Sequence, residues 1–192
     1  MTPVDDDALT HNQVAIHTEA TTALERLDGW VADGVHHYMM RAHFEDIDAG
    51  GIIYHANYIA FAERARSSYL RSVGIFQEDY IATMMGPGGA GVGDTGDAGD
   101  AGTDGFAFVV RRIEIDYAEP AGLGTPLRIT SEMVKMGGAS MKIEQIVINH
   151  ENGHILARLL VDIVCVRFTA DGGARPRRLP ADVATKLAVR NN

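Results

Sequence analysis

The sequence predicts an α+β domain in which one long helix is wrapped by a curved antiparallel sheet, and three observations carry that prediction. A single apolar stripe at three- and four-residue steps, Tyr58, Phe61, Ala62, Ala65, Tyr69 and Val73, marks the helix. Four strand-like runs follow, and two of their connections are the pairs Gly137-Gly138 and Asn152-Gly153, which suit tight antiparallel hairpins. The last run has one wholly apolar face, Ile155, Ala157, Leu159, Val161, Ile163 and Cys165. That face must lie against something, and the long helix is the only large partner the pattern offers.

Taken in order, residues 1–34 read as an N-terminal extension to a single domain spanning 35–192. Weak helical spacing runs from Glu19 to Val31 through Ala20, Ala23, Leu24 and Leu27, and Asp33-Gly34 stops it; a docked helix and a mobile arm fit it equally. Val35 to Phe44 alternates, with Tyr38, Met40, Ala42 and Phe44 on one face and His37, Met39, Arg41 and His43 on the other. Gly50-Gly51 permits a tight, left-handed turn. Asn57 suits the N-cap of the helix Tyr58–Val73, Gly74 suits its stop, and Arg64, Arg66, Ser67 and Arg71 fall off its apolar stripe. Sixteen residues give that helix a length of about 24 Å, enough to cross a sheet.

Residues 86–105 break the composition: nine are glycine and four are aspartate. Such a segment buries too little apolar surface to offset its ordering entropy and reads as a flexible acidic insertion. The strand-like runs are Phe106–Tyr117, closed by Glu119-Pro120; Leu127–Met136, closed by Gly137-Gly138; Ser140–His150, closed by Asn152-Gly153; and His154–Phe168, closed by Asp171-Gly172-Gly173. Pro180 to Arg190 follows as a short C-terminal helix.

Composition narrows the function. At 192 residues and 46% hydrophobic content the chain fits one ordinary globular domain. A net charge of −9 and a pI near 5.3 argue against a nucleic-acid surface, which needs a basic face. An anionic ligand has to find a local basic pocket. The one cysteine, Cys165, has no internal disulfide partner and sits among apolar neighbours as a small core residue. Asp5, Asp6 and Asp7 stand where a signal peptide carries basic residues, and no apolar run approaches the ~20 residues of a membrane span. The expected location is the cytoplasm.

Several motifs carry nothing. Gly86-x-Gly88-x-x-Gly91 and Gly91-x-Gly93-x-x-Gly96 match a dinucleotide fingerprint in form, yet neither follows a strand nor opens a helix. Asp46-Ile47-Asp48-Ala49-Gly50 begins like a calcium loop but has Gly50 at the third ligand position and Asn57 at the twelfth. The eight histidines show no zinc spacing. No metal and no cofactor is expected. Asp48 and His55 are left, and the residues alone allow two readings. Asp48 is a turn aspartate bonding its own backbone, or it faces the free N–H groups of a helix start, which suit the oxyanion of a tetrahedral intermediate.

The stretch Glu45-Asp46-Ile47-Asp48-Ala49-Gly50-Gly51-Ile52-Ile53-Tyr54-His55-Ala56-Asn57-Tyr58, followed by Phe61-Ala62-Glu63-Arg64-Ala65-Arg66, resembles the Tol-Pal-associated acyl-CoA thioesterases. These belong to the 4-hydroxybenzoyl-CoA thioesterase group of hotdog folds. The likeness continues through Phe108-Val109-Val110-Arg111-Arg112-Ile113-Glu114-Ile115-Asp116-Tyr117 and on to Phe168. It implies a helix wrapped by a five-stranded antiparallel sheet, a homodimer or homotetramer with its active site at a dimer interface, and hydrolysis of an acyl-CoA or acyl-carrier-protein thioester. The family's catalytic aspartate falls on Asp48, acting as nucleophile or general base, and its oxyanion-binding amide falls on His55. Tyr54, Asn57 and Tyr58 shape the cleft. Glu63 has either a polar role there or a solvent pair with Arg64 or Arg66.

Three positions depart from the family. Ile47 stands where threonine or cysteine usually precedes the aspartate. Gly137-Gly138 occupies a hairpin in which relatives often place a cation for the coenzyme phosphates, so that role passes to Lys135, Lys142, Arg111 or Arg112. The acidic insertion 86–105 lies near where relatives admit substrate. Two other hotdog functions compete: a non-catalytic module binding an acyl carrier protein or an envelope-assembly partner, and a dehydratase acting on a 3-hydroxyacyl thioester.

Overall fold

The apolar stripe of the sequence becomes helix α1, His55–Ser72, which buries Tyr58, Phe61, Ala62, Ala65, Tyr69 and Leu70. It is seen in a computed structural model that describes residues 27–79, 106–168 and 173–188. Alanines at positions 62 and 65 leave the helix axis close to the sheet, and both are fully buried. The helix ends as expected: Gly74 takes φ 75°, its N–H donates to the Arg71 carbonyl at 2.8 Å, and the N–H of Ile75 donates to Leu70 at 2.9 Å. Its start lies three residues before the expected one. Tyr54 is the N-cap, and Asn57 sits in the first turn.

The strands are β1 Trp30–Ala32, β2 Val35–Arg41, β3 Ala107–Tyr117, β4 Pro126–Met136, β5 Ser140–Asn149, β6 Ile155–Phe168 and β7 Ala174–Pro176. They form one antiparallel sheet in the order β1-β2-β4-β5-β6-β3, with β7 paired to the end of β6. The predicted runs match β2 to β6, and Gly137-Gly138 and Asn152-Gly153 do turn hairpins. The strand after the insertion departs from simple succession: β3 pairs with β6, not with β4. It therefore forms the far edge of the sheet. Inward residues of three adjacent strands share one core with α1: Leu127, Ile129 and Met133, then Met141, Ile143 and Val147, then Leu159, Val161, Ile163 and Cys165. A second helix, α2 Ala181–Ala188, adds Val183 and Leu187 to this core.

Three expectations change. The helical spacing read through Val31 ends instead in β1, because Asp33 (φ 51°) and Gly34 (φ 77°) form a left-handed two-residue turn and close a hairpin with β2. Phe44 does not continue the core face of β2. That strand stops at Arg41, and Phe44 opens a 3-10 turn, Phe44–Asp46, with its side chain 84% exposed. Arg66 lies inside: it is only 4% exposed, donating to Gln145 Oε1 at 2.6 Å and to the Glu63 carboxylate. Gln145 completes the group by donating to the Ala62 carbonyl at 2.9 Å and to Ser131 Oγ at 2.8 Å. Burial pushes the Arg66 pKa down, and the Glu63 charge opposes that shift. Residues 1–26 and the insertion 86–105 lie outside the described residues. No described helix is long and apolar enough to cross a membrane.

Candidate active site

A short hairpin delivers Asp48 to the start of α1. Its rungs are the Tyr54 N–H to the Asp46 carbonyl at 2.8 Å, the bridge Ile47–Ile53, and the Asp48 N–H to the Ile52 carbonyl at 2.9 Å. Gly51, at φ 81°, turns the tip in a conformation that a side chain would strain. Ile53 is buried and Ile47 packs against the core, so the hairpin is anchored by its apolar residues. Asp46, 4% exposed, locks the base by accepting the His43 N–H at 2.8 Å. Asn57 donates its amide to the Asp46 carbonyl at 3.1 Å, tying the first helical turn to the hairpin. On the other side the Ile53 N–H donates to Ala121, and Ile52 bridges to Gly122.

The Asp48 carboxylate is held by its own turn. Oδ1 accepts the Gly50 N–H at 2.7 Å and, more distantly, the Ile52 N–H at 3.5 Å. The turn-aspartate reading is therefore met geometrically, and it does not exclude chemistry, because Oδ2 accepts no hydrogen bond among the described residues. The Gly50 amide also supplies an orienting bond where Ile47 has no hydroxyl or thiol to offer. A β-carbon on Gly50 would come within 3.0 Å of Oδ1. This glycine makes room for the carboxylate.

At the helix start, the first two N–H groups, of His55 and Ala56, have no intrahelical acceptor. The Asn57 N–H is already bound to the Tyr54 carbonyl at 2.8 Å. With the positive end of the helix dipole behind them, the two free amides form an anion-binding corner. Asp48 stands two hairpin rungs from Tyr54, about 7 Å along the strand direction. A thioester carbonyl fits the scale of that gap.

Aromatic rings frame the corner. Tyr54 is exposed and lies 4.4 Å from the His55 ring, centroid to centroid. Tyr58 is buried edge-on against Phe61 and Tyr117, so it braces the cleft from behind. Burial raises its pKa, and Tyr117 adds to the shift. Tyr117 was not singled out from the sequence. Its hydroxyl donates to the His55 carbonyl at 3.0 Å, joining the end of β3 to the first residue of α1. Glu63 lies two turns along the helix and pairs with Arg66.

Arg111 does not join this group, being six residues, or about 20 Å, from Tyr117 along β3. It lines a separate cleft of about 170 Å³ with Lys135, Ser140 and Lys142, in which Lys142 pairs with Asp162 at 3.2 Å. Arg112 pairs with Glu114 at 3.0 Å. Among the described residues no cluster of His, Cys, Asp and Glu could hold a metal ion. The buried Cys165 thiol has its pKa pushed up by burial, which suits a core residue and not a nucleophile.

Comparison with known proteins bears on the chain as a whole. The family model for the thioesterase-like superfamily matches residues 42–187. The acyl-CoA thioester hydrolase YbgC of Escherichia coli O6:H1 is 33% identical over 148 residues, covering 77% of this chain and 92% of that protein. The acyl-CoA thioesterase YbgC of Haemophilus influenzae is 30% identical over 146 residues, covering 76% and 89%. Among solved structures, a probable thioesterase from Bartonella henselae superposes with a TM-score of 0.60 at 29% identity, covering 76% of this chain and 99% of that one.

Proposed function

This chain belongs to the thioesterase-like superfamily, with a hotdog fold, and is a thioester hydrolase, and we propose that it acts on acyl-CoA and that Asp48 and the helix start at His55 perform the hydrolysis. The reading is supported by a carboxylate anchored through one oxygen on the hairpin that leads into the helix start, whose first two amides have no intrahelical acceptor. The thioester carbonyl oxygen takes the His55 N–H, and the charge that develops on it is stabilised by that amide and the helix dipole. Asp48 Oδ2 is the reacting oxygen. As a nucleophile it attacks the carbonyl carbon, the CoA thiolate leaves and takes up a proton, and water then cleaves the mixed anhydride. As a general base it removes a proton from the water that attacks in its place.

The CoA phosphates are assigned to the cleft of Arg111, Lys135 and Lys142, a local concentration of positive charge on an acidic chain. A second copy completes the enzyme along β3. Among the described residues that strand is an open sheet edge of eleven residues that exposes Val109 and Val110. Its first half carries Arg111 and Arg112, and its second half carries Glu114 and Asp116. Antiparallel self-pairing about Ile113 sets each basic half against the other copy's acidic half. Charge complementarity therefore favours a homodimer, on which a homotetramer can be built.

Asp48→Asn is the test. Thiol release from acyl-CoA should fall to near background while the melting temperature holds, and retained turnover would remove Asp48 from its role. A single turnover in ¹⁸O-water that labels the Asp48 carboxylate identifies the anhydride route with water attacking the aspartyl carbonyl, and trapping with hydroxylamine detects the anhydride whichever carbonyl water attacks, whereas the general-base route gives neither signal.

A further inference from the structure

We propose that Asn57 is a positioning residue for the hydrolysis: its side-chain amide braces the hairpin arm that carries Asp48 against α1, and so fixes the carboxylate relative to the helix amides. This rests on the hydrolase reading of Asp48 and His55.

Asparagine near a helix start usually serves as the cap, its oxygen accepting a backbone N–H. Asn57 serves otherwise, because Tyr54 holds the N-cap position and makes no side-chain cap bond. As the third residue of α1, Asn57 projects its side chain back toward the helix N-terminus, where the amide donates to the Asp46 carbonyl at 3.1 Å. That carbonyl also takes the Tyr54 N–H at 2.8 Å, which engages both of its lone pairs.

The two bonds are not equivalent. Tyr54 belongs to the return arm of the hairpin itself, whereas Asn57 belongs to the helix. Among the described residues, the Asn57 bond is the one hydrogen bond between α1 and the arm formed by residues 46–48. The return arm has separate holds, since the Ile53 N–H donates to Ala121 at 2.8 Å and Ile52 bridges to Gly122.

The brace also ends on a firm point. Asp46 is buried, and its own carboxylate accepts the His43 N–H at 2.8 Å. Asp48 lies two residues farther along, with Oδ1 held by the Gly50 N–H. Without the Asn57 amide, the first arm is joined to the helix only through the hairpin rungs and the packing of Ile47, and it can pivot about the Tyr54 rung. A shift of about 1 Å at Oδ2 is enough to spoil its approach to a carbonyl held by the His55 N–H. The brace itself does not touch substrate, so its loss acts on kcat and spares KM.

The experiment compares steady-state thiol release by the wild type, Asn57→Ala, Asn57→Asp and Asp48→Asn, with folding followed by circular dichroism and thermal melting. Both Asn57 substitutions suit the helix, because alanine has the highest helix propensity and a carboxylate in the first turn is favoured by the dipole. Neither has an N–H to donate to Asp46 at neutral pH. Each should lower kcat by about ten- to hundredfold with KM within about twofold of wild type. On a His55→Pro background the amide that the carboxylate is aligned with is gone, so Asn57→Ala should lower kcat by a far smaller factor there. Wild-type kcat in the folded variants overturns the brace. So does a raised KM with unchanged kcat, which marks a substrate contact, or an undiminished effect on the His55→Pro background. If Asn57→Ala does not fold, the same outcomes in Asn57→Asp decide it. Any of these with Asp48→Asn inactive leaves the hydrolase reading intact, whereas an active Asp48→Asn overturns both.

Discussion

The Tyr117 hydroxyl donates to the His55 carbonyl at 3.0 Å, so the last residue of an edge strand fixes the first residue of the central helix. The bond sets the tilt of the first peptide planes, and with it the direction of the free amides. Tyr117→Phe keeps the ring against Tyr58 and removes only the bond. A net hydrogen bond is worth about 1 kcal/mol, so kcat should fall about fivefold with little change in KM, measured by steady-state thiol release.

The His55 amide can be deleted without deleting the helix. Proline is tolerated at the first helical position, where its missing N–H has no intrahelical acceptor. The preceding Tyr54, at φ −61° and ψ 130°, already has the extended geometry that proline demands of its neighbour. His55→Pro should retain the wild-type circular dichroism spectrum and lower kcat by about 10² to 10³. His55→Ala keeps the amide and should stay far closer to wild type.

Adjacent glycines separate catalysis from stability. Gly50→Ala sets a methyl group 3.0 Å from Asp48 Oδ1 and displaces the carboxylate, so it should lower kcat while leaving the melting temperature nearly unchanged. Gly51→Ala has open space around its new β-carbon but a backbone at φ 81°. It should cost about 1 kcal/mol or more in urea denaturation.

Charge on β3 gives a test of assembly. Arg112→Glu and Glu114→Arg each set like charges across the self-paired strand and should lower the dimer fraction in analytical ultracentrifugation. The double swap restores opposite charges and should restore the dimer. If all three variants sediment as the wild type does, the second copy binds elsewhere.

His37 makes stability sensitive to acid. Burial, reinforced by the nearby Arg128 charge and opposed by Asp33, lowers its pKa below the usual 6.5. The folded state therefore binds this proton less readily than the unfolded chain, and the contribution is full above pH 6.5 and lost as pH falls through the depressed value. The melting temperature should drop across that window, and the drop should be shallower in His37→Phe, which preserves an aromatic ring beside Trp30.

Much of the fold was legible because its signals are local. Strand period and glycine turns located the β3 run at Phe106–Tyr117 against the observed Ala107–Tyr117. Three residues of β1 are too few to show a period, and Asp33-Gly34 serves a helix stop and a hairpin turn equally well in sequence. Arg66 was misplaced because periodicity reports only the apolar stripe, and the partner that satisfies it, Gln145, lies 79 residues away. At the site, Asp48 and His55 were prominent from the resemblance, whereas Tyr117 reads as an ordinary strand residue. Its function is set by what it reaches across 62 positions of chain.

The open edge of β3 and the phenol at its end belong to one rigid strand. In the proposed paired form, zipping the edge would also steady the peptide planes proposed to receive the oxyanion, and a lone chain would hold the same atoms less firmly. Specific activity should then depend on dilution, falling as the enzyme concentration drops below the dimer dissociation constant. Abundance would set the rate per molecule as well as the number of molecules.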